Sequence, residues 1–202
     1  MVDETEIPEG IDEHHHHPDR FRRLAAIYVG VVAMLLAISA LGGGKATKEM
    51  LAANIRVSDT YSFAQAKYLR QTSYELAADQ IEAQLTAYPS IPDDARESMK
   101  ALITRYRAAA ARYASDPASG EGRRELLATA KDWEKVRDHA EAQDPNFQLA
   151  AALFQIAIVL ASVAIAASSW PLLGVSAASA ACATLLSVNG FFLFVHLPSF
   201  NS

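Results

Sequence analysis

Two stretches of the chain, residues 24–44 and 145–202, contain no Asp, Glu, Lys or Arg, and polar and apolar positions between them recur with helical spacing. An apolar helix needs about 20 residues to cross roughly 30 Å of hydrocarbon. The first stretch predicts one span over 24–41, set in a segment 20–44 that begins at Arg20, Arg22 and Arg23. The second is long enough for two, over 147–169 and 172–197, with Trp170-Pro171 as a tight turn between them. So short a connection makes residues 145–202 an antiparallel transmembrane hairpin.

The charged block 45–144 reads as helix. From Met50 to Tyr88 there is no Pro or Gly, and Tyr61, Ala64 and Tyr68, then Tyr74, Ala77, Ile81, Leu85 and Tyr88, recur at steps of three and four. Pro89-Ser90-Ile91-Pro92 breaks the pattern, and Asp93-Asp94 suit the start of a second helix, with Met99, Leu102, Ile103 and Tyr106 on its stripe. Ser115-Asp116-Pro117-Ala118-Ser119-Gly120 predicts a turn. A third stripe, Leu126, Leu127, Ala130, Trp133, Val136 and Ala140, extends to about Ala142, where Asp144-Pro145 ends or kinks the helix. Gly42-Gly43-Gly44 offers a place for the first helix to stop or bend. The stripes are coiled-coil-like without a strict heptad over four repeats, which favours an antiparallel bundle or hairpin. The predicted fold class is all-α: three transmembrane helices with a long helical, coiled-coil-like extramembrane domain between the first and second.

Composition alone conceals this. The chain is 51% hydrophobic and 20% charged, with mean hydropathy +0.06, values of an ordinary soluble protein. Net charge is −5, and the central block balances fifteen Lys and Arg against sixteen Asp and Glu, so no basic patch points to nucleic acid. Cys182 is the single cysteine, which excludes an intrachain disulfide framework. Residues 1–19 are acidic, hold Pro8, Gly10 and Pro18, and predict a disordered tail. The acidic start and long apolar stretch read as a retained anchor rather than a cleaved signal.

Candidate chemistry is sparse. His14, His15, His16 and His17 form a weak metal candidate beside Asp12, Glu13 and Asp19, and a solvated tail is the simpler reading. His139 sits among charges. Gln155 and Asn189 are the strongest polar residues inside the spans, where each suits an interhelical hydrogen bond or a pore lining. Gly174, Ala178 and Cys182, and likewise Ala157 and Ala161, stand at four-residue spacing, the small-residue pattern of close helix packing. The chain holds no GxSxG, HExxH, Walker A or GxGxxG motif, so the reading is non-enzymatic, with no cofactor.

Ser58-Asp59-Thr60-Tyr61-Ser62-Phe63-Ala64-Gln65-Ala66-Lys67 and Phe154-Gln155-Ile156-Ala157-Ile158 resemble segments of a bacterial membrane family, domain of unknown function 4337. Tyr61 and Ala64 depart from that family's Trp and Tyr. The resemblance covers nearly the whole chain, implies a multi-pass protein of the bacterial inner membrane, and supplies no activity. The expected partners are the lipid bilayer and either further copies of the chain or a larger membrane complex. The leading expectation is a scaffold or accessory subunit; an oligomeric channel or small transporter is the alternative, and a metal-responsive sensor using the His tail a second. Arg20, Arg22 and Arg23 and the cations beyond the first span pull sidedness in opposite directions.

Overall fold

A computed structural model describes residues 18–195. Four helices follow in order: α1 (Pro18–Ala87), α2 (Asp93–Ala114), α3 (Arg123–Ala167) and α4 (Trp170–Phe192). Three of them, α1, α3 and α4, contain segments long and apolar enough to cross a membrane. The chain divides into two compact units, Met1–Ala46 with Ala142–Ser202, and Thr47–Glu141.

The predicted breaks at residues 89–92 and 115–120 separate α1, α2 and α3, but those at residues 42–44 and at Pro145 are absent. The charged segment does not begin as a separate helical domain, because α1 runs through Gly42-Gly43-Gly44 as one helix of 70 residues. Likewise α3 continues through Pro145 for 45 residues. Three helical glycines cost about 1 kcal/mol each against Ala, and packing supplies the compensation. Phe147, only 3% exposed, sets its ring against Gly42, Gly43 and Gly190. A Cβ at Gly42 would lie 2.6 Å from that ring, and one at Gly190 2.9 Å. The glycines are therefore a slot for an aromatic ring, not a flexible exit. Pro145 removes the hydrogen bond that the Glu141 carbonyl would accept. The next residue, fully buried Asn146, turns its amide Nδ2 back onto the Ala142 carbonyl at 3.1 Å.

Burial along α1 does follow a heptad. Ala25, Val32, Ser39, Ala46 and Ala53 are buried at seven-residue steps, and the series continues through half-buried Thr60, Lys67, Tyr74 and Ile81. A companion line four residues later includes Val57, Ala64 and Ala78. The seven-residue repeat lets one seam of a helix stay against its neighbours over many turns.

In the first unit, Val32, Ala150, Phe154, Ala157, Ala180 and Ala183 form the core, with Tyr28, Leu35, Leu36 and Leu186 packed on it. Small side chains dominate, so the helices approach closely. The turn into α4 uses left-handed Ser168 (φ 49°), and the Ser169 amide donates to the Ala164 carbonyl at 3.0 Å. Trp170 then meets Phe21 edge-on at 4.9 Å between ring centres.

The second unit is a hairpin. Its stretch of α1 packs first against α2, through Tyr74 with Tyr106 and Tyr113 and through Arg107 with Asp79 and Glu82. It then packs against the first half of α3, through Tyr68 with Arg123, Tyr61 with Glu134 and Arg56 with Trp133. Rising numbers on α1 meet falling numbers on both partners, so both run antiparallel to it. The 22 residues of α2 and the first half of α3 thus stand in tandem along one helix.

Candidate functional site

The junction between α2 and α3 gathers the most chemistry in the Thr47–Glu141 unit. The α2 helix ends at Ser115 in extended conformation, and α3 starts with acidic Glu125 in its first turn, where the helix dipole favours a carboxylate. Glu125 reaches back across the elbow: Ser115 Oγ donates to Glu125 Oε1 at 2.6 Å, and the Asp116 amide donates to Oε2 at 3.1 Å. Asp116 in turn accepts from Arg112 Nε at 3.2 Å and from the Ser119 amide at 3.4 Å. Lys67 Nζ comes over from α1 to Glu121 at 3.2 Å. Gly120 takes φ +70°, a conformation that favours glycine.

A cavity of about 400 Å³ lies beside this elbow, with Lys67, Arg70, Arg112 and Asp116 on its polar wall and Tyr74 and Tyr113 stacked 5.7 Å apart on the other. Arg70 sits 5.9 Å from the Tyr113 ring centre, within reach of a cation–π contact. Of its cations, Lys67 and Arg112 already face carboxylates, so most of the charge is neutralised within the unit. A second hollow, about 500 Å³, is lined by Gln71, Arg123, Arg124 and Lys131.

Two carboxyl groups at the elbow are held below their ordinary range by their hydrogen bonds. The Ser115 hydroxyl, then the nearby backbone amides, hold the Glu125 carboxyl below its ordinary range, against the opposing effect of desolvation. Asp116 is lowered by Ser119 first and Arg112 second. Depressed carboxylates contribute stability that is complete above their unfolded values and is lost as pH falls through the lower folded ones. The protection of amides 115–125, taken as the exchange rate relative to that of an unstructured amide at the same pH, is therefore expected to be flat at neutral pH and to fall as pH drops below the ordinary carboxylate range. Glu125→Gln should bring forward that loss; a protection factor in the wild type that stays constant as the carboxylates titrate would contradict the assignment. On the opposite end, Tyr61 donates to Glu134 at 3.0 Å, which raises its phenol.

The apolar segments carry their own polar contacts. Tyr28 OH lies 2.9 Å from Ser176 Oγ, which donates to the Ala157 carbonyl at 2.6 Å, and Ser179 Oγ donates to the Leu153 carbonyl at 3.1 Å. Asn189 Nδ2 donates to Asn146 Oδ1 at 2.7 Å and to the Val195 carbonyl at 2.8 Å, while its oxygen accepts the Val195 amide. Asn189 thus closes the end of α4, where Leu193 turns left-handed. Gln155 is exposed on the outside of α3. It lies nine residues beyond Asn146, about 14 Å along the helix, so the two predicted intramembrane amides belong to different layers.

Ala157 and Ala161 are fully buried. Gly174, Ala178 and Cys182 are exposed, and the buried line of α4 is instead Ser176, Ala180, Ala183, Ser187 and Gly190. His14, His15, His16 and His17 lie outside the described residues, among which no group of three or more His, Cys, Asp or Glu could hold a metal ion. Sequence reasoning passed over Asn146 and Phe147 because both sit at the charged edge of an apolar stretch; the signal was Pro145 before them and a glycine run to receive the ring.

A family model described as "Domain of unknown function (DUF4337)" matches residues 21–193. No curated protein and no solved structure matches the chain.

Proposed function

The chain belongs to the DUF4337 family, and from that premise we propose that it is a non-enzymatic scaffold or accessory subunit of a bacterial inner membrane. Its three apolar segments anchor it, and the charged hairpin presents a docking surface in water. One observation carries this reading: most of the ionisable groups around the elbow cavity are engaged within the unit, Lys67 with Glu121, Arg112 with Asp116 and Glu125 with the Ser115 hydroxyl, while Arg70 lies over the Tyr113 ring. Groups so paired fix a shape rather than await a substrate. The Ala-rich core of the other unit supports the same reading, since small residues at helix contacts favour permanent packing in lipid.

Purification of the full chain in mild detergent, followed by light scattering and mass spectrometry of co-purifying chains, tests the proposal. The expected result is a defined oligomer or a stoichiometric complex. A strictly partnerless monomer overturns it. Ion flux in liposomes that disappears in the Gln155→Leu, Asn189→Leu double variant would replace it with the channel reading.

A further inference from the structure

We infer that a second copy of this chain docks in parallel on the outward face of α1, along Leu51, Ile55, Leu69 and Leu76. These four side chains are 53%, 61%, 59% and 58% exposed, on the face opposite buried Ala53, Val57, Ala64 and Ala78. Ile55, Leu69 and Leu76 fall on one seven-residue series, and Leu51 precedes Ile55 by one turn. The remaining positions of that seam are Ser58, Ser62, Gln65 and Thr72. Between Lys48 and Asp79 the seam therefore carries no charge, although the Thr47–Glu141 unit holds nearly all the charge of the described chain. A helix face turned to water normally collects charged residues. Lipid does not explain its absence here, because this is the charged part of the molecule.

The occupant follows from symmetry and charge. The inference rests on the membrane scaffold reading: two copies anchored in one bilayer can align α1 only in parallel, so each seam residue meets its own counterpart. An uncharged seam is then self-complementary, as a two-fold interface requires. At the flanking positions of such a pair, Asn54 would face Asp59, Tyr61 would face Ala66, and Glu75 would face Gln80, so no like charges meet. The seam from Leu51 to Leu76 is about 40 Å long and about 10 Å wide, burying about 800 Å² in total. That is below the roughly 1,200 Å² at which stable interfaces between free proteins begin. Tethering in one membrane raises the effective concentration toward the millimolar range and lowers that requirement.

Single cysteines at Ile55, Leu69, Leu76 and, as a control, exposed Ala128 on α3, each in full-length Cys182→Ala protein, test this in phosphatidylcholine vesicles. Oxidation is expected to give same-residue disulfide dimers at the three seam positions at least fivefold faster than at Ala128. The Leu69→Glu, Leu76→Glu double variant is expected to be monomeric by light scattering with unchanged helix content. Equal cross-linking at Ala128, or a dimer that survives both glutamates, overturns the inference while leaving the scaffold reading in place. A wild-type chain that is a partnerless monomer overturns both.

Discussion

Gly42→Ala is expected to destabilise the chain by about 1–3 kcal/mol, whereas Gly44→Ala, two residues on, stabilises it by about 0.5–1 kcal/mol. In a helix interior Ala is intrinsically better than Gly by nearly 1 kcal/mol, so the sign at each site reports what the new Cβ meets. At Gly44 it meets nothing within 4 Å. At Gly42 it would sit 2.6 Å from Phe147 Cε1 and 2.9 Å from Phe191 Cζ. Neither ring has an easy retreat. Phe147 is held from the far side by Gly190, whose own added Cβ would stand 2.9 Å away, and it meets Phe191 edge-on at 4.9 Å. Trimming the ring should undo the clash: Phe147→Leu is expected to be mildly destabilising alone and to suppress the Gly42→Ala defect when combined, a coupling of about 1 kcal/mol or more in a double-mutant cycle. Unfolding of the full chain in mixed detergent, followed by circular dichroism, gives all four corners. Additive effects would mean that the rings are free to move and that the slot has no energetic role.

The contrast between those glycines shows which parts of the fold were legible in the sequence. The three apolar helices were, because a charge-free run of the right length is a signal that no local detail overrides. Their continuations were not. Glycine and proline are read as breaks on local propensity, and at both places neighbouring contacts accompany the continuous helix instead: a ring fills the space beside Gly42, and just past Pro145 the buried Asn146 donates to the Ala142 carbonyl and accepts from Asn189 of α4. The heptad on α1 escaped notice for a related reason. Its positions are held by Ala25, Ser39, Ala46, Ala53 and Thr60, residues that a count of large apolar side chains passes over. Close-packed helices select small residues at the seam, so the register is carried by what is missing from those positions. The elbow was legible as a turn from Asp116-Pro117 and Gly120, but its cross-links were not, since Glu125 and Lys67 reach it from elements that only the fold brings together.

In the spans, energetic weight falls on packing rather than on polar groups. In a bilayer, whose lipid tails are as apolar as leucine, burying Phe154 or Val32 between helices would gain little transfer free energy, and contact density would decide. Each interhelical hydrogen bond, such as Ser176 to Ala157, adds about 1 kcal/mol. Asn146 and Asn189 matter differently: they satisfy each other and two carbonyls at places where a helix is interrupted or ends. Replacing Asn189 would leave the buried Asn146 Oδ1 without the amide that donates to it.

The largest effect in the hairpin is expected at Gly122. A Cβ there would stand 2.7 Å from the Ser115 Cα and closer still to the Asp116 amide nitrogen and the Glu125 carboxylate. Two of these are backbone atoms, which cannot swing aside as a side-chain end does. Relief requires opening the elbow, and that breaks the Ser115 and Asp116 hydrogen bonds to Glu125 together. Gly122→Ala should therefore cost about 2–4 kcal/mol, as overpacking and a lost hydrogen-bond network combine. Gly120 provides the control within the same loop. It meets nothing within 4 Å, and its only demand is φ +70°, so Gly120→Ala should cost about 1 kcal/mol and Gly120→Asn less. Hydrogen exchange separates the two causes. With Gly122→Ala, protection should fall across residues 115–127 and at Tyr113, two residues before Ser115, while 150–161 stays protected. If Gly122→Ala matches Gly120→Ala in both stability and exchange, the cross-linked elbow does not hold α2 and α3 in register along α1.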